Sequence, residues 1–217
     1  MKTVLIVGAT GLVGRAVLRL ALADASIARV VVPTRRPLRL QHEKLVNPVV
    51  DFDALPESAD WWRVDAVVCT LGTTIRKAGS QAAFRKVDHG YPLAVAGFAR
   101  AAGASAFAFT SSTGANVKSR TFYLRTKGET ERDLAGVGFD SLTLVRPSLI
   151  GGERDEQRWG ESLGLKILTA LEPLLPRRYR IVPAERIAAM LLASVMAARP
   201  GVRIVESEAI CSVDPQD

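Results

Sequence analysis

Histidine and cysteine are scarce in this chain, two of each, and His42, His89, Cys69 and Cys211 stand too far apart to match zinc-ligand or CxxC spacing. A metal centre or a disulfide framework is therefore not expected. Long apolar runs are missing too. The longest, residues 187–198, lies between Arg186 and Arg199 and falls well short of the roughly 20 residues a membrane helix needs. There is no internal repeat and no low-complexity tract. The opening Met1-Lys2-Thr3-Val4-Leu5-Ile6-Val7 faintly imitates a signal peptide, but Gly8, Gly11 and Gly14 punctuate it and Arg15 and Arg19 follow. A soluble cytoplasmic protein is expected, with no metal and no membrane span.

What remains is enough for one sizeable core: 217 residues, 23.4 kDa, 48% hydrophobic and 24% charged. We expect one domain over residues 1–217, with a cofactor-binding core in 1–150 and a short substrate-covering region in 151–217. Lys and Arg outnumber Asp and Glu, 29 to 22, for a net charge of +7. An anionic partner is implied: nucleic acid, a membrane surface or a phosphorylated small molecule. The basic residues are spread out, and the nearest clusters are Thr34-Arg35-Arg36 and Arg177-Arg178-Tyr179-Arg180. The second reads as solvated surface, although an anionic substrate, headgroups or nucleic acid would also suit it. No specific nucleic acid is expected, because the chain carries no recognisable binding motif or aromatic-rich sheet.

Val4-Leu5-Ile6-Val7 reads as a strand buried on both faces of a parallel sheet. Val13, Ala16, Val17, Leu20 and Ala21 then fall at helical spacing. Further strands are predicted at Arg29-Val30-Val31-Val32-Pro33, Val49-Val50-Asp51-Phe52, Ala66-Val67-Val68-Cys69, Ala106-Phe107-Ala108-Phe109-Thr110 and Ser141-Leu142-Thr143-Leu144-Val145. Between them, Phe84 to Ala102 repeats helically with an interruption expected near Gly90-Tyr91-Pro92, Gly103 stops it, and residues 122–134 form another helix. This alternation implies an α/β fold, a Rossmann-type doubly wound parallel sheet with a short C-terminal substrate-covering segment. After Arg146-Pro147 the rhythm breaks. A polar loop, helices over 162–175 and 184–198 and a last strand at Val202-Arg203-Ile204-Val205 are predicted there.

Gly8-Ala9-Thr10-Gly11-Leu12-Val13-Gly14 joins the first strand to the first helix, where a dinucleotide pyrophosphate meets backbone N–H groups at a helix N-terminus. An ordinary strand-to-helix turn would also use spaced glycines, but position at the start of an alternating chain favours a cofactor. The end of the second strand lacks the acidic residue that NAD binders place against the ribose hydroxyls. Thr34, Arg35 and Arg36 stand there instead and suit a 2′-phosphate, so NADP(H) is expected over NAD(H). Asp51 and Phe52 would flank the adenine, or else Asp51 caps a turn. Leu71, Gly72 and Thr73 follow the fourth strand at the ligand-binding edge.

Tyr123 and Lys127 lie one helical turn apart, after a strand ending in Ser111 and Ser112. A free phenol ionises near pH 10, so it serves as an acid or base at neutral pH only where a cation favours its phenolate; a lysine can supply that cation. An amphipathic helix with a surface Tyr and Lys is the plain alternative. Trp61-Trp62 reads as core and Trp159 as core or pocket lining.

With these motifs in place the chain resembles an atypical short-chain dehydrogenase/reductase. More narrowly, Cys69-Thr70-Leu71-Gly72-Thr73-Thr74, Lys77-Ala78-Gly79-Ser80, Val87-Asp88 and Tyr123-Leu124-Arg125-Thr126-Lys127-Gly128-Glu129 are similar to the Tat-interacting oxidoreductase-like subgroup and its small bacterial relatives. The resemblance covers most of residues 3–150. It implies a Rossmann fold, NADP(H) and a catalytic Ser112, Tyr123 and Lys127, with Ser111 the rival serine and Lys127 also holding the nicotinamide ribose. It also implies that Arg146-Pro147-Ser148 lies beside the nicotinamide, Pro147 contributing, with Ser148 where the family has glycine. Asp88 stands where many relatives have asparagine and is assigned no catalytic role. The expected function is hydride transfer to or from a small carbonyl or hydroxyl substrate; an NADP(H)-sensing regulatory protein, with a protein partner or a homo-oligomer, is the alternative.

Overall fold

The computed structural model describes residues 1–151 and 181–211. Strands β1 (Lys2–Val7), β2 (Ile27–Val31), β3 (Leu45–Val46), β4 (Ala66–Cys69), β5 (Ala106–Thr110), β6 (Ser141–Arg146) and β9 (Gly201–Glu206) form one sheet in the order β3-β2-β1-β4-β5-β6-β9, every adjacent pair parallel. β7 (Leu149–Gly151) and β8 (Ile181–Pro183) make a separate parallel pair. Strand order reverses beside β1, so the crevice between the carboxyl ends of β1 and β4 is the natural ligand position. The doubly wound expectation holds.

The strands are apolar on both sides because both faces are covered. On one face, α1 (Leu12–Ala23) and α6 (Ala184–Ala197) pack Val13, Val17, Ala21, Ile187, Leu191 and Val195 against Val4, Ile6 and Val68. The long apolar run of the sequence is thus core. On the other face, α4 (Tyr91–Ala101) and α5 (Phe122–Ala135) cover Leu5, Val67, Phe107 and Leu142. Trp62, in a 3₁₀ turn over Asp60–Trp62, is buried there beside Phe98 and donates its indole N–H to the Pro56 carbonyl at 2.7 Å.

Two elements differ from the sequence reading. The third strand is Leu45–Val46; Val49 makes only an isolated bridge to Thr34, and Asp51 and Phe52 lie beyond any strand. Pro48 has no N–H for a ladder, and the Asn47 side-chain amide replaces one by donating to the Val32 carbonyl at 2.5 Å. The break expected at Gly90-Tyr91-Pro92 is no break. After the short helices α2 (Ile75–Ala78) and α3 (Gln81–Arg85), a π-helical turn over Lys86–Gly90 leads straight into α4. Pro92 donates nothing to the carbonyl one turn back, at Asp88, and the Thr130 hydroxyl supplies a donor at 3.0 Å. The predicted loop after Gly151, the helix over 162–175, Trp159 and Arg177-Arg178-Tyr179-Arg180 lie outside the described residues.

Candidate active site

The crevice at the switch point is built first by glycine. Gly8 leaves β1 at φ +86°, and a Cβ there would lie 2.7 Å from the Thr70 carbonyl carbon at the end of β4. A Cβ on Gly14 would sit 2.1 Å from the Gly8 oxygen, so only glycine lets α1 approach β1 this closely. Gly11 is the N-cap of α1, has no side-chain cap, and the first turn holds no acidic residue. Among the described residues no carboxylate caps this helix N-terminus, which fits an anionic group bound from outside. Thr10 and Gly11 are exposed, Leu12 is half-buried and Val13 is buried.

At the end of β2 the three expected residues divide. Thr34 is buried, donating its hydroxyl to the Arg36 carbonyl at 2.7 Å and accepting from the Asn47 amide at 2.8 Å. It shapes the turn, and Arg35 and Arg36 are left exposed, neither paired with a carboxylate among the described residues. Asp51 accepts the Asp53 N–H at 2.9 Å, the turn-capping role anticipated as its alternative. Phe52 is buried, its ring 5.5 Å from that of Tyr91. The Tyr91 phenol donates to Asp53 at 2.5 Å, and burial with that carboxylate pushes it up to about 12.

The centre of the site is Lys127, 3% exposed on α5. Its Nζ lies 2.9 Å from Asp88 Oδ1, donates to the Thr110 carbonyl at 3.3 Å and sits 4.8 Å from the centre of the Phe109 ring. Burial works against the ammonium, but the Asp88 carboxylate and then Tyr123 outweigh it and hold Lys127 above the usual lysine range. Tyr123, half-buried one turn earlier, packs edge-on against Phe84 at 5.8 Å. Gly72 adjoins the pair: a Cβ there would be 3.5 Å from Asp88 Oδ1 and 3.8 Å from Lys127 Nζ. Thr73 N–H donates to Asp88 Oδ2 at 2.8 Å, while Leu71 is half-buried at the crevice edge.

Ser111 and Ser112 extend β5 toward this cluster. Ser111 is buried, and its hydroxyl has no hydrogen-bond partner among the described residues; Ser112 is half-buried, with a 3.4 Å contact to the Thr113 carbonyl. Pro147 is buried, and its carbonyl accepts the Thr113 N–H at 3.0 Å. Arg146, which precedes it, turns inward to Glu131 of α5 at 2.9 and 2.6 Å and to Glu206 of β9 at 2.9 Å. Cys69 lies beneath the site as a buried free thiol, pushed up to about 12 by burial and so not nucleophilic at neutral pH. Among the described residues no cluster of His, Cys, Asp or Glu could hold a metal ion, and no helix is long and apolar enough to cross a membrane.

Reading the sequence missed three contributors. Asp88 is fully buried and touches the lysine; its signal was a carboxylate one turn after Phe84, on the helix's apolar face. Gly128 lets α5 meet the preceding loop, since a Cβ would lie 2.4 Å from the Asn116 carbonyl carbon. Glu131 had no signal, because its partner Arg146 is distant in sequence.

The model of the NAD dependent epimerase/dehydratase family matches residues 4–128, which hold the glycine turn, Ser112, Tyr123 and Lys127. The chain belongs to the NAD dependent epimerase/dehydratase family. It is 35% identical to Protein HTATIP2 of Rattus norvegicus over 96% of this chain and 88% of that one. It is also 33% identical to Protein FMP52, mitochondrial, of Eremothecium gossypii, over 98% and 97% respectively. The expected resemblance to the Tat-interacting subgroup is borne out by the first of these. The second is named mitochondrial, where the sequence reading expected the cytoplasm. Among solved structures, MoeE5 in complex with UDP-glucose and NAD matches with a TM-score of 0.70 at 15% identity, over 93% of this chain and 74% of that one. At that identity the likeness speaks for the fold. Membership places the chain in a dinucleotide-dependent, oxidoreductase-type class.

Proposed function

We propose that this protein is an NADP(H)-dependent oxidoreductase that transfers hydride to or from a small carbonyl or hydroxyl compound, with Tyr123 as acid and base. The observation that carries this reading is the buried Lys127 ammonium one turn from Tyr123, at the same sheet edge as the uncapped glycine turn. The bound nicotinamide supplies hydride in reduction and accepts it in oxidation. Thr10 and the backbone N–H groups of Leu12 and Val13 hold the pyrophosphate, with Gly11, whose own N–H donates to the Gly8 carbonyl at 2.9 Å, giving close approach; Arg35 and Arg36 hold the 2′-phosphate. Leu71, Gly72, Thr73 and Pro147 line the nicotinamide side, and Asp51 and Phe52 border the adenine end.

In reduction, the carbonyl carbon gains hydride as Tyr123 gives its hydroxyl proton to the carbonyl oxygen. Lys127 stabilises the phenolate that forms, and the phenol regains its proton from solvent. Ser112 donates to the same oxygen, with Ser111 the competing donor. Oxidation runs these steps backwards.

Tyr123→Phe tests the reading. Turnover of NADPH with a panel of small aldehydes and ketones should fall about 10²-fold or more, while the NADPH Kd stays within about threefold. A variant that turns over normally would sink it. A wild type that binds NADPH but turns over nothing, with unchanged biological output from the variant, favours a cofactor sensor.

A further inference from the structure

Asp88 is 0% exposed, and a carboxylate is placed so deep only at a cost that specific partners offset. Its two oxygens reach two walls of the cleft: Oδ1 lies 2.9 Å from Lys127 Nζ, and Oδ2 accepts the Thr73 N–H at 2.8 Å. Its backbone carbonyl accepts from Thr130, on the same helix as Lys127, at 3.0 Å. The π-turn aims it. Tyr91 N–H bonds back to the Lys86 carbonyl, one residue further than in an α-helix, and Asp88 meets α5 from within that turn. Such single π-turns recur at functional sites.

We propose that Asp88 is a positioning residue for hydride transfer, one buried carboxylate that holds Lys127 protonated and in place while fixing the Leu71-Gly72-Thr73 turn against it. The proposal rests on the oxidoreductase reading above. The titratable groups acting on Lys127 are Asp88 from the π-turn, Tyr123 from its own helix and Cys69 from β4; β5 adds the Thr110 carbonyl and the Phe109 ring. Nearby carboxylates are engaged elsewhere: Glu131 with Arg146, Asp133 with Arg132 and the His89 ring, Asp53 with Lys86. Among the described residues Asp88 is therefore the carboxylate that offsets the lysine. A neutral amide of the same shape would still accept the Thr73 N–H, but it would leave a buried ammonium without a counter-charge.

Asp88→Asn in the full chain separates these roles. NADPH affinity of the wild type should change by less than about threefold between about pH 7 and pH 9, because Lys127 keeps its proton. In the variant it should fall about tenfold or more over that range, as the uncompensated lysine deprotonates. Thermal stability supplies a readout free of cofactor. With the folded-state pKa of Lys127 below its unfolded value, the unfolded variant binds more protons, so the variant gains stability on the wild type as pH rises and the Tm gap narrows. Parallel pH curves in both measurements overturn the proposal and leave the oxidoreductase reading standing. A wild type that binds neither NADPH nor NADH ends both. Should Asp88→Asn fail to fold, folding of the Asp88→Asn/Lys127→Met double variant supports the charge pairing, and its failure too overturns it.

Discussion

Single positions in this protein are set by how closely backbone approaches backbone. Gly14 and Gly128 are both helical, neither has positive φ, and both are glycine because any Cβ would enter neighbouring main chain at 2.1 and 2.4 Å. Main chain cannot swing aside as a side-chain end can. Gly128→Ala is therefore expected to cost about 1–3 kcal/mol, by overpacking α5 against residues 116–117, and a denaturant melt would show it. The same substitution at Gly97, where a Cβ meets open space, should be neutral or slightly stabilising. Gly14 was legible from the spaced-glycine pattern. Gly128 was not, because the loop it touches is adjacent only in the folded chain.

At the level of elements, α5 is held to the sheet by a charge clamp as well as by Leu134. Glu131 is 6% exposed and takes Arg146 through both carboxylate oxygens, and Arg146 also reaches Glu206 on β9. Removing Arg146 strands a buried carboxylate, so Arg146→Ala should cost about 3–5 kcal/mol, whereas the Arg146→Met/Glu131→Gln double variant should recover part of that loss. Equal losses in the two proteins would show that the charges are not coupled. On the opposite face, Ile187→Ala in α6 should cost about 2–5 kcal/mol and Ile187→Val about 0.5–1.5 kcal/mol, because Ile187 is wholly buried among the packed residues of α1 and the sheet. Periodicity located both helices to within a residue of their ends. It missed the short third strand and the π-turn, since a side-chain amide beside Pro48 and a hydroxyl facing Pro92 decided the local hydrogen bonding.

For the molecule as a whole, part of the basic excess behind the net charge of +7 can be placed. Arg35, Arg36, Arg76, Lys118 and Arg120 all lie in segments beyond the carboxyl ends of the strands, exposed and without carboxylate partners among the described residues. On the proposed reading, a dinucleotide approaching that edge meets these cations. Its extra phosphate should make NADPH binding more salt-sensitive than NADH binding, the preference shrinking between about 0.05 M and about 0.5 M salt as the Debye length falls below 10 Å. Identical salt dependence for the two cofactors would remove Arg35 and Arg36 from the phosphate role, and isothermal titration of each cofactor decides it.

The sequence by itself determined the alternation of strands and helices, the glycine turn and the pairing of Tyr123 with Lys127. Each depends on residues within one or two turns of one another, where spacing and residue type carry the physics. Only the tertiary structure decided which groups surround them. Asp88 reaches Lys127 across 38 intervening positions in the chain, Thr34 is tied into its turn by the Asn47 amide, and Ser111 loses its solvent to the neighbouring strand. Burial and charge pairing are properties of packed surfaces, and the sheet order that brings those surfaces together exists only once the chain has folded.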